Sequence, residues 1–241
     1  ESLGGRIECG VDIGHINQVD AEQVFFCTSP RDMARIAGDL LPSSYLNRLA
    51  KFRHGPGVFK VDYALKEPIP WSDPRVARAG TVHLAGTLEQ LTASEATVAQ
   101  GGHAEEPFVL LTQPTQFDPT RAPEGGHIAW AYVHVPNGST LDQTQALEAQ
   151  IERYAPGFGD VVLQRHTMNC AQMEAYNPNY VGGDVNGGAN TLDQLFTRPV
   201  AALSPYCTPS PRIFLCSASV PPGGGVHGLG GYNAVRAAGI V

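Results

Sequence analysis

The sequence predicts an α+β chain, a mixed sheet with helices, and three observations predict it. Short apolar runs with strand character recur at Val24–Cys27, Val58–Leu65, Thr81–Ala85, Phe108–Thr112, Ile128–Val135, Val161–Leu163 and Ile213–Cys216. Helical patterns with recognisable starts and stops are interleaved with them. The 241 residues, 42% of them hydrophobic, can fill one large core or two modest ones.

Taken in order, residues 5–13 (GRIECGVDI) set Ile7, Cys9, Val11 and Ile13 against Arg6, Glu8 and Asp12, the alternation of a half-exposed strand. Val24–Cys27 reads as a more buried one. At Thr28-Ser29-Pro30 a helix starts: Ser29 can cap, Pro30 occupies the first position where its missing N–H costs nothing, and Asp32 has capping-box spacing. Met33, Ile36, Ala37 and Leu40 form its apolar face, and Pro42 ends it. Ser43–His54 is a second helix with Tyr45, Leu49 and Phe52 inward and His54 solvated. After Gly55-Pro56-Gly57, VFKVDYAL is expected to be a central strand of a new sheet. Gly38 and Gly57 are expected to serve backbone geometry, so that alanine at either lowers stability.

In the loop EPIPWSDP, Trp71 either packs over a sheet edge or lines an apolar cleft. Leu88–Gln100 reads as a helix, and Gln113–Gly126 as a loop rich in Pro and Asp. Trp130, Tyr132 and His134 share one strand face, which fits a helix layer better than a ligand cavity. Asp142–Tyr154 is the clearest helix, stopped by Pro156-Gly157. Asn177–Gly188, NPNYVGGDVNGG, has little hydrophobic periodicity and four glycines, the composition of a flexible connection or a functional loop. Within it Asn179, Tyr180 and Gly183 are cleft candidates, and Arg198 downstream serves a cleft or a structural ion pair.

The last 29 residues are the most informative. Ile213–Cys216 is a strand apolar on both faces; Ser217, Ala218 and Ser219 are small; Pro221-Pro222 stiffens the exit into Gly223, Gly224 and Gly225. From Val226 the pattern is helical, with Val226, Leu229, Ala234, Val235, Ala237 and Ala238 on one face. The free amides of its first turn would face the glycines and favour an anion. Gly223–Gly228 satisfies G-x-G-x-x-G, although no second strand and acidic residue follow as a dinucleotide fingerprint requires. A glycine turn capping a terminal helix satisfies the same letters.

Other chemistries find little support. There is no G-x-S-x-G, and no Cys–His pair is marked by sequence. The eight histidines show neither H-x-x-x-H nor H-E-x-x-H, so no metal site is expected. Five cysteines, an odd number without C-x-x-C, read as reduced thiols of a cytoplasmic protein. The net charge of −7 and the absence of a basic run argue against nucleic acid. No apolar stretch approaches the ~18–20 residues of a membrane span, and ESLGGRIECG lacks the regions of a signal peptide. Peripheral membrane contact and oligomeric state stay open.

The C-terminal strand, PPGGGVHG and the Ala-rich helix resemble the flavin-contacting motif of phytoene desaturase-like FAD-dependent oxidoreductases, commonly written G-A-x-T-H-P-G-G-G-V-x-G. Further matches follow in the family's order: TSPRDMARIAGDLLP at 28–42, GPGVFKVDYAL at 55–65, QIERYAPGF at 150–158, NPNYVGGD at 177–184 and FTRPV at 196–200. The chain departs from the motif at Ser217, usually Gly, and at Val220–Pro221, usually Thr-His. The resemblance implies that residues 1–42 and 206–241 are discontinuous pieces of a Rossmann-like FAD-binding domain and 43–205 a substrate-binding domain. It implies FAD contact by Ser217, Ala218, Ser219, Pro222, Gly223, Gly224, Gly225, Val226, His227 and Gly228, with Ile13 near the adenine. The implied reaction is dehydrogenation, desaturation or isomerisation of an apolar small molecule, with His227, Tyr180 and Asn179 the catalytic candidates. The resemblance also implies that the chain is the C-terminal portion of a longer enzyme and binds FAD weakly alone, the alternative being a non-catalytic binding or assembly module. In the full enzyme Gly224→Val is expected to occupy the place of the ring's pyrimidine edge.

Overall fold

The computed structural model describes residues 3–240. The chain runs β1 (Val24–Phe26), α1 (Pro30–Ala37), α2 (Ser43–Leu49), β2 (Gly57–Leu65), β3 (Thr81–Leu84), α3 (Leu88–Ala99), β4 (Val109–Thr112) and β5 (His127–Val135). It continues through α4 (Thr144–Glu152), α5 (Phe158–Val161), β6 (Val162–Met168), α6 (Cys170–Tyr176), α7 (Leu192–Thr197), β7 (Ile213–Leu215) and α8 (Leu229–Ala237). The fold is α+β, with one parallel and one antiparallel sheet. By internal contacts it divides into a discontinuous unit, residues 1–53 and 186–241, and a continuous one, residues 54–185.

The continuous unit is a five-stranded sheet in the order β3-β4-β5-β2-β6. Every neighbouring pair is antiparallel, so the sheet is not the mixed one expected. Between β4 and β5 the physical reason is plain: a loop without a crossover helix returns the chain in the opposite sense. One face buries Val61, Tyr63, Leu65, Leu111, Ala131 and Val133 against Leu147 and Ile151 of α4 and Phe158 of α5. The Tyr63 and Phe158 rings meet edge to face, 5.1 Å between centroids. Each valine, leucine, isoleucine or phenylalanine side chain in this core stabilises the fold by about 1.5–3 kcal/mol when taken from water.

The opposite face is half open. Helix α3 reaches it at His134, whose Nδ1 lies 2.9 Å from a Glu95 carboxylate oxygen. Trp130 and Tyr132 stay half-buried, their rings stacked at 6.3 Å with Lys60 Nζ 5.7 Å from the Trp130 centroid. Burial, and then the Glu95 carboxylate, push the Tyr132 phenol above its ordinary pKa. A helix layer therefore accounts for His134, while Trp130 and Tyr132 keep accessible surface. Trp71 packs as a core residue, its indole donating to Gln113 Oε1 at 2.8 Å, and also lines an open cavity of about 390 Å³.

The discontinuous unit pairs β1 with β7 in parallel, Val24 opposite Ile213 and Phe26 opposite Leu215. Its core gathers Ile16, Phe26, Met33, Ile36, Leu41, Tyr45, Leu49, Ile213 and Leu215. Helix α1 starts as its letters require: Ser29 Oγ accepts from the Asp32 amide at 3.1 Å, and Pro30 leads the helix. Residues 5–13 form no strand and are mostly exposed, because among the described residues nothing pairs with them. The unit boundaries also fall elsewhere than at 42 and 205. Tyr45 and Leu49 of α2 join the first core, and residues 186–205 stay with it because Gln194 Nε2 donates to the Arg53 carbonyl at 2.8 Å.

The two glycines singled out differ in kind. A Cβ on Gly57 would lie 2.4 Å from Cys170 Sγ and 2.5 Å from the Gly182 carbonyl oxygen, whereas one on Gly38 would meet only a Leu46 methyl at 3.9 Å. Gly38 has φ −57, open to any residue, so the expected penalty there is corrected to a gain. Gly57→Ala is expected to cost about 1–3 kcal/mol or more by overpacking. Gly38→Ala should be neutral or stabilise by about 0.4–1 kcal/mol through the unfolded chain. Urea denaturation of both variants checks the contrast.

Candidate functional site

The site grows from the carboxyl ends of β1 and β7, the position where open α/β sheets take their ligands. Beyond β7 the chain enters small residues held from below by Arg198. That side chain is 1% exposed, so its charge needs polar partners. It donates Nη2 hydrogens to the carbonyls of Gly187 and Ala218, both at 3.0 Å, and lies within 3.4 Å of the Ser219 carbonyl and 3.2 Å of Asn190 Oδ1. One guanidinium thus joins the loop before α7 to the segment after β7. Ser217 Oγ accepts from the Ser219 amide at 3.2 Å, and Ser219 is buried.

The glycine turn follows. Gly223 donates to the Val220 carbonyl at 2.9 Å; Pro222 and residues 224–229 are exposed, Val226 completely. The helix does not start at Val226. Gly228 has φ 66, a conformation that suits glycine, and α8 begins at Leu229. His227 closes the turn: its Nδ1 accepts from the Leu229 amide at 3.0 Å and its Nε2 lies 3.3 Å from the Gly223 carbonyl. These two bonds tie the His227 ring to both ends of the turn. Sequence reasoning misses Gly230, where a Cβ would lie 2.5 Å from the Cys216 carbonyl oxygen. That glycine lets α8 cross directly over the end of β7; its letter is legible, but the apolar pattern starts the helix too early to give it this place.

Whether a flavin suits these residues is answered by which surfaces are open. A Cβ on Gly224 would meet the Asn186 carbonyl oxygen at 2.9 Å. A side chain there strikes the protein's own loop, so Gly224→Val cannot separate cofactor loss from misfolding as expected. Gly231, in the first turn of α8, has nothing within 4 Å of a Cβ. Among the described residues the amides of Gly230 and Gly231 have no hydrogen-bond acceptor. Unpaired first-turn amides beside an exposed, side-chain-poor turn fit the anionic edge of a reduced flavin ring.

The remaining candidates lie elsewhere. Ile13 is half-buried against the core of the discontinuous unit. Asn179 and Tyr180 belong to the continuous unit, in the turn after α6, where the Asn179 amide donates to Asn177 Oδ1 at 3.1 Å and that of Tyr180 to the Asn177 carbonyl at 2.9 Å. Gly183 packs on Cys170. Among the described residues no group of three or more His, Cys, Asp or Glu side chains could hold a metal ion, and no helix is long and apolar enough to cross a membrane.

No family model matches the chain. It is 28% identical over 255 aligned residues to the rat protein named pyridine nucleotide-disulfide oxidoreductase domain-containing protein 2, with 96% of the chain and 44% of that protein covered. The mouse protein of the same name is likewise 28% identical over the same extents. A limonene dehydrogenase polypeptide of Castellaniella defragrans is 27% identical over 155 residues, 56% of the chain and 27% of that protein. The chain thus spans under half the length of these curated relatives, which are oxidoreductases by name. Among solved structures, a triple mutant of putrescine oxidase superposes with a TM-score of 0.51 at 15% identity, covering 91% of the chain and 42% of that structure. The shared feature is the fold.

Arg198 supplies the test of how the site is held. Arg198→Met keeps the volume and strips buried carbonyls of their donor, an expected loss of roughly 3 kcal/mol or more. Arg198→Lys keeps the charge but reaches fewer acceptors, so its loss should be smaller. Denaturant midpoints should fall in the order wild type, Lys, Met; a Met variant as stable as wild type would remove the guanidinium from this role.

Proposed function

We propose that the chain is part of an FAD-dependent oxidoreductase of the phytoene desaturase-like kind, acting on an apolar small molecule. The observation that carries this reading is the exposed glycine turn leading into the unpaired first-turn amides of α8, at the carboxyl ends of β1 and β7. The curated relatives support it in that they are oxidoreductases by name. A bound flavin would supply hydride-accepting chemistry at this site. The Gly230 and Gly231 amides and the positive end of the α8 dipole would favour the negative charge of a reduced flavin. Ser217, Ala218 and Ser219 keep bulk away from it. His227 holds the turn in register through its bonds to Gly223 and Leu229.

The continuous unit is the substrate-binding part in this proposal. Its half-open face offers the stacked Trp130 and Tyr132 rings, a surface suited to a hydrocarbon. The likeness to the limonene dehydrogenase polypeptide points the same way, limonene being a hydrocarbon. Dehydrogenation or desaturation is the favoured reaction, with isomerisation on the same scaffold; Asn179 and Tyr180 remain substrate-side candidates.

Gly231→Asp separates cofactor from fold. An acidic residue in the first turn of a helix is stabilising, by about 0.3–1 kcal/mol, while its charge repels the flavin anion. FAD titration of the full-length enzyme carrying this substitution, followed by the visible flavin band, should show affinity falling at least tenfold with the thermal midpoint unchanged or raised. Full flavin occupancy in a folded Gly231→Asp variant would sink the cofactor reading.

A further inference from the structure

Two cysteines meet at the root of the glycine turn. Cys27 follows β1 and Cys216 follows β7, each one position past the last paired residues, Phe26 and Leu215. Their sulfurs are 2.9 Å apart although 189 positions separate them in sequence. Both are free thiols, Cys27 exposed and Cys216 buried. Cross-strand neighbours on adjacent strands fall within the Cα separations of about 4.4–6.8 Å that a disulfide tolerates. The Cys216 amide already donates to the Phe26 carbonyl at 2.9 Å, which fixes the two backbones side by side.

The two thiols differ chemically. The hydrogen bond from Cys216 is the main reason the Cys27 thiol is lowered to about 6, with partial burial opposing it. Cys216 is displaced upward by the same bond and by burial. An exposed thiolate beside a buried thiol is the arrangement of an attacking and a resolving cysteine.

We propose that Cys27 and Cys216 are a redox-active dithiol, which a low-molecular-weight disulfide converts to an intrachain disulfide clasping the ends of β1 and β7. The Cys27 thiolate attacks one sulfur of the small disulfide, forming a mixed disulfide and expelling one small thiolate. Cys216 then loses its proton and attacks Cys27 sulfur, expelling the second. The chain gives up two electrons and two protons, and the small disulfide is reduced to two small thiols. This chemistry stands apart from the flavin proposal and needs no cofactor.

The test treats the reduced, desalted chain with oxidised glutathione, quenches with acid and reads intact mass and a peptide map. The expected product has lost two hydrogens and carries a Cys27–Cys216 link. Linkage through Cys9 or Cys207 instead, or glutathione retained on Cys27 with Cys216 still free, would overturn the proposal. In Cys216→Ser the mixed disulfide should be trapped on Cys27. Before oxidation, iodoacetamide should alkylate Cys27 at pH 6 on the order of tenfold faster than a free cysteine peptide, after allowing for the lower nucleophilicity of a more acidic thiol. Cys216→Ser should erase most of that advantage; equal rates for wild type and peptide would also count against the pair. The wild-type mass result stands even if the variant folds poorly.

Discussion

A buried guanidinium organises the candidate site. Arg198 is nearly inaccessible, and it draws carbonyl oxygens from two irregular stretches of chain rich in glycine and small residues. Val220 alone ties the second stretch to the apolar core; the glycines, serines and asparagines of Asn186–Asn190 and Ser217–Gly225 supply almost no area to bury. Charge-assisted hydrogen bonds hold them instead. The turn can then leave its outer side bare, because its anchoring comes from beneath.

The two units illustrate two ways of making a stable surface. In the continuous unit, alternation along β5 sends Ala129, Ala131, Val133 and Val135 into a core roofed by α4, and Trp130, Tyr132 and His134 to the other side. Small residues inward let the helix approach closely; large amphipathic ones outward tolerate partial wetting because each has an apolar body and a polar tip. In the discontinuous unit the sheet is two strands wide among the described residues, and the helices α1 and α2 pack against it.

Much of this was legible in the letters. Ser29-Pro30 announced α1, VFKVDYAL announced β2, and the alternation from Ile128 to Val135 announced β5, because capping chemistry and burial period act locally. What the letters do not show depends on partners. Residues 5–13 alternate like a strand but have nothing to pair with among the described residues. The strand β6 runs to Met168 through Gln164, Arg165 and His166, polar residues that an edge strand accepts because one of its sides faces water. At the candidate site, glycine content points to segments without strand or α-helix. It could not reveal that Asn186 fills the space beside Gly224, or that Gly230 rather than the preceding run makes the close approach to β7.

The parallel pairing of β1 with β7 has a consequence for the order in which the chain can fold. The residues that end these strands are 189 positions apart, and the whole continuous unit lies between them. During synthesis that unit has its complete sheet available, and can close, before the last strand of the discontinuous unit exists. Closing the remaining pair then joins ends already drawn together by a folded insert rather than by a long flexible loop, which lowers the entropy that so distant a contact would otherwise cost. Until that moment β1 waits with an unpaired edge, and α1 and α2 wait with an incomplete core.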